Sequence, residues 1–235
     1  MINIKVLASS SRGNCYYVTD GVTPLLLECG ISWKEIQRGL DFQTSDIQGC
    51  LISHEHGDHC KAVRDVLKAG IEVYASRGTF VTINVSSHKT IFAFDRKPFK
   101  IGTWTILPFE VQHDAEEPLG YLLVNKQGEK LLFITDSYYC KYRFKGLTHI
   151  MLEANHSYAI LDRNVENGSL HPDMRRRLIQ SHFSLENVKK FLQANDLRQV
   201  QEIHLIHLSE NNSDAEFFKA EVQRLTGKPT YIARS

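Results

Sequence analysis

Short apolar, β-branched stretches at residues 2–8, 15–18, 24–28 and 50–52 read as strands, separated by turn residues such as Arg12-Gly13-Asn14 and Asp20-Gly21. Helical spacing takes over between them. Ser32 is a suitable N-cap for a helix with Trp33, Ile36 and Leu40 on one face, and Ala62, Val63, Val66 and Leu67 predict another over residues 59–69. The middle of the chain changes rhythm: residues 90–94, 104–109, 120–124 and 131–135 read as successive strands of a meander. Farther on, residues 149–153 and the apolar run 202–207, which ends in a histidine, are strand candidates. Residues 184–194 and 214–225 have the amphipathic period of helices. Strands early and late with helices interspersed suit an α/β chain, and periodicity alone does not choose among the α/β folds. No linker or tandem repeat divides the sequence, so residues 1–235 are expected to form one domain.

Composition narrows the class. With 235 residues, 42% hydrophobic and 23% charged, the chain can bury a core without disulfide or metal staples. Apolar runs such as residues 25–27 fall far short of the roughly 20 residues of a membrane span, and the N-terminus lacks a charged-then-apolar leader, so no membrane partner and a cytosolic location are expected. Cys15, Cys29, Cys50, Cys60 and Cys140 are odd in number with no Cys-x-x-Cys pair, which suits reduced thiols in a core. A net charge of +1 demands no polyanionic partner. The local cluster Arg175, Arg176 and Arg177 reads as a solvated helix face, unless the fold brings Lys141 and Arg143 beside it.

Chemistry concentrates in Ser53-His54-Glu55-His56-Gly57-Asp58-His59, directly after an apolar strand. Four potential ligands fall within six residues. Imidazoles two apart in an extended loop can point to one ion, while Asp58 and His59 at a helix start can point to a neighbouring one. Imidazoles crowded in a core without a cation to receive their lone pairs would be costly.

This pattern resembles the metallo-β-lactamase superfamily, whose signature is His-x-His-x-Asp-His on a loop at a strand end. The resemblance implies a four-layer αββα sandwich of two mixed β-sheets flanked by helices. It also implies a site completed by His113, Asp136 and His207: His54, His56 and His113 would hold one divalent ion, Asp58, His59 and His207 a second, and Asp136 would bridge. Zinc is the expected metal for such a His-rich site, and its carboxylates also tolerate manganese. Further matches look like the WalJ/YycJ-type branch of phosphodiesterases. They are residues 6–14, 26–32, His113-Asp114-Ala115-x-x-Pro118, Glu153-x-Asn155-His156 and His207-Leu208-Ser209-x-Asn211-Asn212. Departures include Glu28 at a strand end that commonly carries Asp, Ser181-His182-Phe183-Ser184-Leu185 in place of Gly-His-x-Ser-Asn, and Ser137-Tyr138-Tyr139 in place of small residues. The chain is also similar to tRNase Z in pairing a glutamate, here Glu153, with a histidine at a helix start, here His182.

The resemblance implies hydrolysis of a phosphodiester by water activated between two cations, with Asp58 orienting the water and Glu153 holding His182 as the acid that protonates the leaving oxygen. Two substrates compete: a nucleic-acid strand, as in the WalJ and tRNase Z groups, and a small cyclic nucleotide, as in the phage anti-Pycsar group that evades immune signals. The near-neutral charge tilts the balance slightly to the second. A metal-binding regulatory protein without turnover is the reading from another class. Asn211 and Asn212 touch substrate or shape their loop; Tyr138 and Tyr139 stack on a base or pack in a core or interface. Residues 9–14 form a phosphate-facing loop or a plain hairpin turn. His88, His149, His156, His171 and His204 are read as structural. Related enzymes imply a homodimer.

Overall fold

The computed structural model describes residues 1–234, and these fall into two compact units. The first comprises Met1–Glu110 and Ala115–Glu129, with Arg234. Its opening hairpin pairs β1 (Asn3–Ser10) with β2 (Gly13–Thr19), and β2 pairs antiparallel with β3 (Pro24–Leu27). The turn takes only Ser11 and Arg12; Gly13 and Asn14, expected in it, already lie in β2. From β3 the sheet continues in parallel through β4 (Gly49–Leu51), β5 (Val73–Ala75) and β6 (Thr90–Phe92). Parallel neighbours need crossovers, and helices supply them. Helix α1 (Trp33–Gly39) starts at Ser32 as expected, in a capping box with Glu35.

The helix predicted over residues 59–69 is two pieces, α2 (Gly57–Cys60) and α3 (Val63–Lys68). The Ala62 N–H donates to Cys29 O instead of continuing the helical ladder, which splits the two. Helix α4 (Arg77–Thr82) then connects β5 to β6, so Thr90–Phe92 belongs to the parallel run and not to the predicted meander. The meander is β7 (Phe99–Ile101), β8 (Trp104–Glu110) and β9 (Leu119–Val124), all antiparallel. Leu26, Ile36, Ile52, Val66 and Val73 form the core with Cys15, Cys29, Cys50 and Cys60. All five cysteines are free and buried, and burial pushes their thiols up, which suits packing and not reactivity.

The second unit comprises Val111–Asp114 and Lys130–Ala233. Its strands β10 (Lys130–Ile134), β11 (His149–Glu153), β12 (Glu202–Ile206) and β13 (Thr230–Ile232) are all parallel. They are short, and β10 to β12 are almost entirely buried, as parallel strands covered on both faces are. Its helices are α5 (Tyr158–Glu166), α6 (Pro172–Ser181), α7 (Leu185–Ala194) and α8 (Ala215–Thr226). Helices α7 and α8 match their predicted spans, capped by Ser184 and Asp214 and burying Val188, Phe191 and Leu192 on one and Phe218 and Val222 on the other. Helices α5 and α6 escape periodicity because they bury little: Leu161 in the first, Ser181 in the second. Among the described residues no helix is long and apolar enough to cross a membrane.

Candidate active site

In the first unit the histidine-rich loop begins three residues past β4 and runs into α2. The imidazoles of His54 and His56 meet Nε2 to Nδ1 at 3.0 Å, while His54 Nδ1 bonds Ser53 Oγ at 2.8 Å. The rings of His54 and His59 lie 4.2 Å apart, centroid to centroid. His59 is fully buried; its Nε2 is 3.3 Å from Asp58 Oδ2, and its Nδ1 faces Glu28 Oε2 at 3.5 Å. Glu28, at the strand end where the resemblance implies an aspartate, thus stands behind His59. It is fully buried just past β3, and its Oε1 accepts the Ser53 N–H at 3.0 Å. Burial pushes its carboxyl group up from the usual range, against the pull of His59 and Ser53. Asn14 closes the loop from β2, its Nδ2 donating to Ser10 O at 3.0 Å and Asp58 O at 3.3 Å. Gly30 is required by contact: a Cβ there would overlap the Asp58 carbonyl.

In the second unit, parallel strands deliver their donors at their carboxyl ends, where open α/β sheets bind ligands. Glu153 is the last residue of β11, Asp136 stands two past β10 and His207 one past β12. Asp136, His207 and the first unit's Glu28 all have left-handed backbone, with φ of 25°, 52° and 63°. Non-glycine residues hold that conformation at a cost of about 1–3 kcal/mol each, and such strain clusters at functional sites. Asp136, Glu153, His182 and His207 each offer a ligand atom within 4.8 Å of the others. His113 Nε2 and His207 Nε2 lie 3.6 and 3.7 Å from Asp136 Oδ2. His113 Nδ1 donates to Ser181 O at 2.8 Å, which leaves Nε2 as the lone-pair nitrogen. Burial holds the His113 pKa below its ordinary value, against the field of Asp136.

His182, expected at a helix start, instead caps the end of α6, two residues before the Ser184 cap of α7, and its Nδ1 meets Glu153 Oε1 at 2.6 Å. The other oxygen of Glu153 accepts the N–H groups of Ser137 at 2.9 Å and Phe183 at 3.0 Å, so one buried carboxylate fixes both the turn after Asp136 and the imidazole. Burial pushes the His182 pKa down, but Glu153, with Asp136 and Asp114 behind it, more than reverses this and holds it at about 9.

The donor sets fit divalent metal. Nitrogens 3.6 and 3.7 Å from a carboxylate oxygen are beyond hydrogen-bond reach, yet close to the ~3.4 Å between ligands in a tetrahedron of ~2.1 Å bonds. Each unit thus brings together its own expected residues: His54, His56, Asp58 and His59 in one, His113, Asp136, Glu153, His182 and His207 in the other. Sequence pattern marks Glu28 only as a departure from the usual aspartate, and Asn155 only as one letter of a motif. Asn155 Nδ2 donates to His207 O at 3.1 Å and its own carbonyl accepts the Ser209 N–H, which fixes the turn that presents His207.

Asn211 and Asn212 shape that same loop: Asn164 Nδ2 donates to Asn211 O and Asn212 Oδ1, and Asn212 Nδ2 to Ser209 Oγ. Tyr138 and Tyr139 are 37% and 55% exposed, which suits contact with a ligand and not core packing. Residues 9–14 close the β1–β2 hairpin, with Ser9 Oγ on the Tyr16 hydroxyl. His171 caps α6, and His149 and His204 bond Thr148 and Glu202. His156 is fully buried, and burial lowers its pKa to about 3, so it packs as a neutral ring. Arg175, Arg176 and Arg177 lie on the helix face expected, where they pair with Asp162, Asp173 and Asp114.

Residues 23–207 match the family described as Beta-lactamase superfamily domain. Exodeoxyribonuclease YycJ of Bacillus anthracis is 30% identical over 241 residues, covering 95% of this chain and 89% of that protein. The metallo-β-lactamase fold protein YhfI of Bacillus subtilis superposes with a TM-score of 0.76 at 13% identity, over 100% of this chain and 97% of its own. The short form of human tRNase Z does so with a TM-score of 0.64 at 15% identity, over 100% and 97%. These two structures bear out the fold, two mixed β-sheets flanked by helices. By the match over residues 23–207 and its identity to YycJ, the chain belongs to the β-lactamase superfamily, among its metallo-β-lactamase-fold members.

Proposed function

We propose that this chain is a metal-dependent phosphodiesterase that hydrolyses nucleic-acid strands. The observation that carries the reading is the buried Glu153 carboxylate holding His182 at 2.6 Å beside Asp136 and His207. In this reading, which follows the resemblance, His54, His56 and His113 would hold one divalent ion and Asp58, His59 and His207 the other, with Asp136 available to both; zinc or manganese would suit the mixed nitrogen and oxygen donors. Such ions supply Lewis acidity at the phosphoryl group and acidify the attacking water. The chain's own groups do the rest. Asp58 orients that water by accepting its hydrogen bond. As the phosphorus–oxygen bond to the sugar breaks, the departing oxygen takes a proton from His182 Nε2, the nitrogen left over once Nδ1 is engaged by Glu153.

Relatives that act as exodeoxyribonucleases support a strand cleaved from its end, and they shift the balance away from a small cyclic nucleotide, which none of the comparisons supports. The resemblance also carries a homodimer into this reading, which sedimentation of the purified chain tests. The substrate test is direct: metal-loaded protein is incubated separately with single-stranded DNA, double-stranded DNA, RNA and a cyclic mononucleotide, and products are resolved by chromatography. Strands shortened to mononucleotides are expected. Opening of the cyclic nucleotide with every strand intact overturns the strand reading, and no hydrolysis of any phosphodiester overturns the activity.

A further inference from the structure

The three residues after Asp136 lead to two cavities in the second unit, and these differ in charge. The larger, about 450 Å³, is lined by His113, Tyr138, Arg176 and Arg177, but its arginines are faced by carboxylates: Arg176 by Asp173 at 3.4 Å and Arg177 by Asp114 at 3.1 Å. The smaller, about 320 Å³, has Lys141, Arg143 and Lys190 in its wall and no carboxylate among its lining residues. Arg143 and Lys190 form no ion pair among the described residues. Tyr139, 55% exposed, and Tyr142, whose ring lies 5.3 Å beneath Lys141 Nζ, form the aromatic rim, and buried Phe183 and Phe191 the floor. Arg143 and Lys190, two cations in a wall that holds no carboxylate, cost self-repulsion, which an anion received there would relieve. Cations along a backbone path with exposed rings for bases are how single strands are held without sequence preference.

We propose that this second cavity is a strand-binding subsite, in which Arg143 and Lys190 take backbone phosphates of single-stranded DNA and Tyr139 stacks on a base one or more nucleotides from the scissile bond. The inference rests on the nucleic-acid reading above and places the grip of the strand outside the metal donors. It also removes the objection from net charge, since the basic track is local: Lys141, Arg143 and Lys190 come from one loop and the facing helix α7.

The test is fluorescence anisotropy of metal-loaded protein with a labelled 12-residue phosphorothioate oligothymidylate, over a salt series, for the parent, Arg143→Glu/Lys190→Glu and Tyr139→Ala. Melting temperature and metal content establish that each variant is folded. Loss of two phosphate contacts is expected to flatten the logarithmic salt slope by about 1.4, and loss of one stacked base to weaken binding about tenfold. Unchanged affinity and salt slope in the double variant, with the parent binding the strand, overturns the subsite and leaves the strand reading intact. A parent that binds no strand while hydrolysing bis(p-nitrophenyl) phosphate overturns the strand reading, and the subsite with it.

Discussion

The loop from His54 to His59 packs four donors into six residues, whereas Asp136, Glu153, His182 and His207 come from four separate elements of the second unit. The difference extends to what holds them. In the first unit the support comes from outside the loop, from Glu28, Asn14 and Gly30, residues of β2 and the segment after β3. In the second the support comes from the end of β11 itself: Glu153, its last residue, bonds His182, and Asn155, two residues on, holds the His207 turn. A contiguous motif needs scaffolding brought to it; a dispersed one is assembled largely by parallel strand ends that agree in direction.

Removing one donor from each region is the strongest way to break this comparison. Asp136→Ala and His56→Ala are each expected to take phosphodiester hydrolysis to background, since both belong to the proposed metal set. They should differ in metal content. Elemental analysis of purified protein is expected to find Asp136→Ala, which removes the donor proposed to serve both ions, poorer in metal than His56→Ala. Equal metal content in the two, at the parent's level, would contradict the bridging role.

The acid comes next. His182→Ala is expected to lower kcat on an oligonucleotide by on the order of 10²-fold or more while metal content stays at the parent's level. The loss should nearly vanish on bis(p-nitrophenyl) phosphate, whose nitrophenolate leaves without needing a proton. A loss of equal size on both substrates would make His182 a structural residue.

The same contrast governs what is legible in the sequence. The loop donors are legible because four metal-ligating side chains within six residues are costly to bury together without an ion to receive their lone pairs. His113, Asp136 and His207, each alone at its strand end, emerge only through resemblance. The strands are legible wherever burial makes them apolar, as in β3, β4, β10 and β11. Helix α6 is not, because its Arg-rich, largely exposed surface erases the apolar stripe. Nor is the break between α2 and α3, since it depends on one long-range bond from the Ala62 N–H to Cys29 O. The meander departs from expectation for a related reason: Thr90–Phe92 and Phe99–Ile101 are equally short and equally strand-like, and only the placement of α4 decides which pairs where. The roles of Glu28 and Asn155 are invisible to pattern, because each acts through a contact with a residue distant in sequence.

Steric support is a weaker lever than a lost donor, and Gly30 isolates it. Gly30→Ala puts a methyl group into the Asp58 carbonyl, which forces that backbone to move. The expected cost is about 1–3 kcal/mol, the usual range for overpacking, read as a lowered midpoint in urea for the metal-free protein. Metal affinity should fall as well, because Asp58 and His59 shift with the backbone. A variant as stable as the parent would mean that the loop adapts freely and that its geometry is set elsewhere.

The finest test compares two kinds of outer support. His113 Nδ1 donates to a backbone carbonyl, while His59 Nδ1 faces the Glu28 carboxylate at 3.5 Å. A carboxylate behind an imidazole raises its basicity more than a carbonyl does, and losing such a partner costs about 10–100-fold in metal affinity. Glu28→Gln keeps an oxygen for the Ser53 N–H and the volume of the side chain, and removes only the charge. The expectation is therefore weaker binding of one of the two ions, seen as a second, looser step in a calorimetric titration, with the urea midpoint of the metal-free protein little changed. A single step of parental affinity would show that the charge behind His59 is irrelevant to holding metal, and that Glu28 serves the loop only through the Ser53 amide.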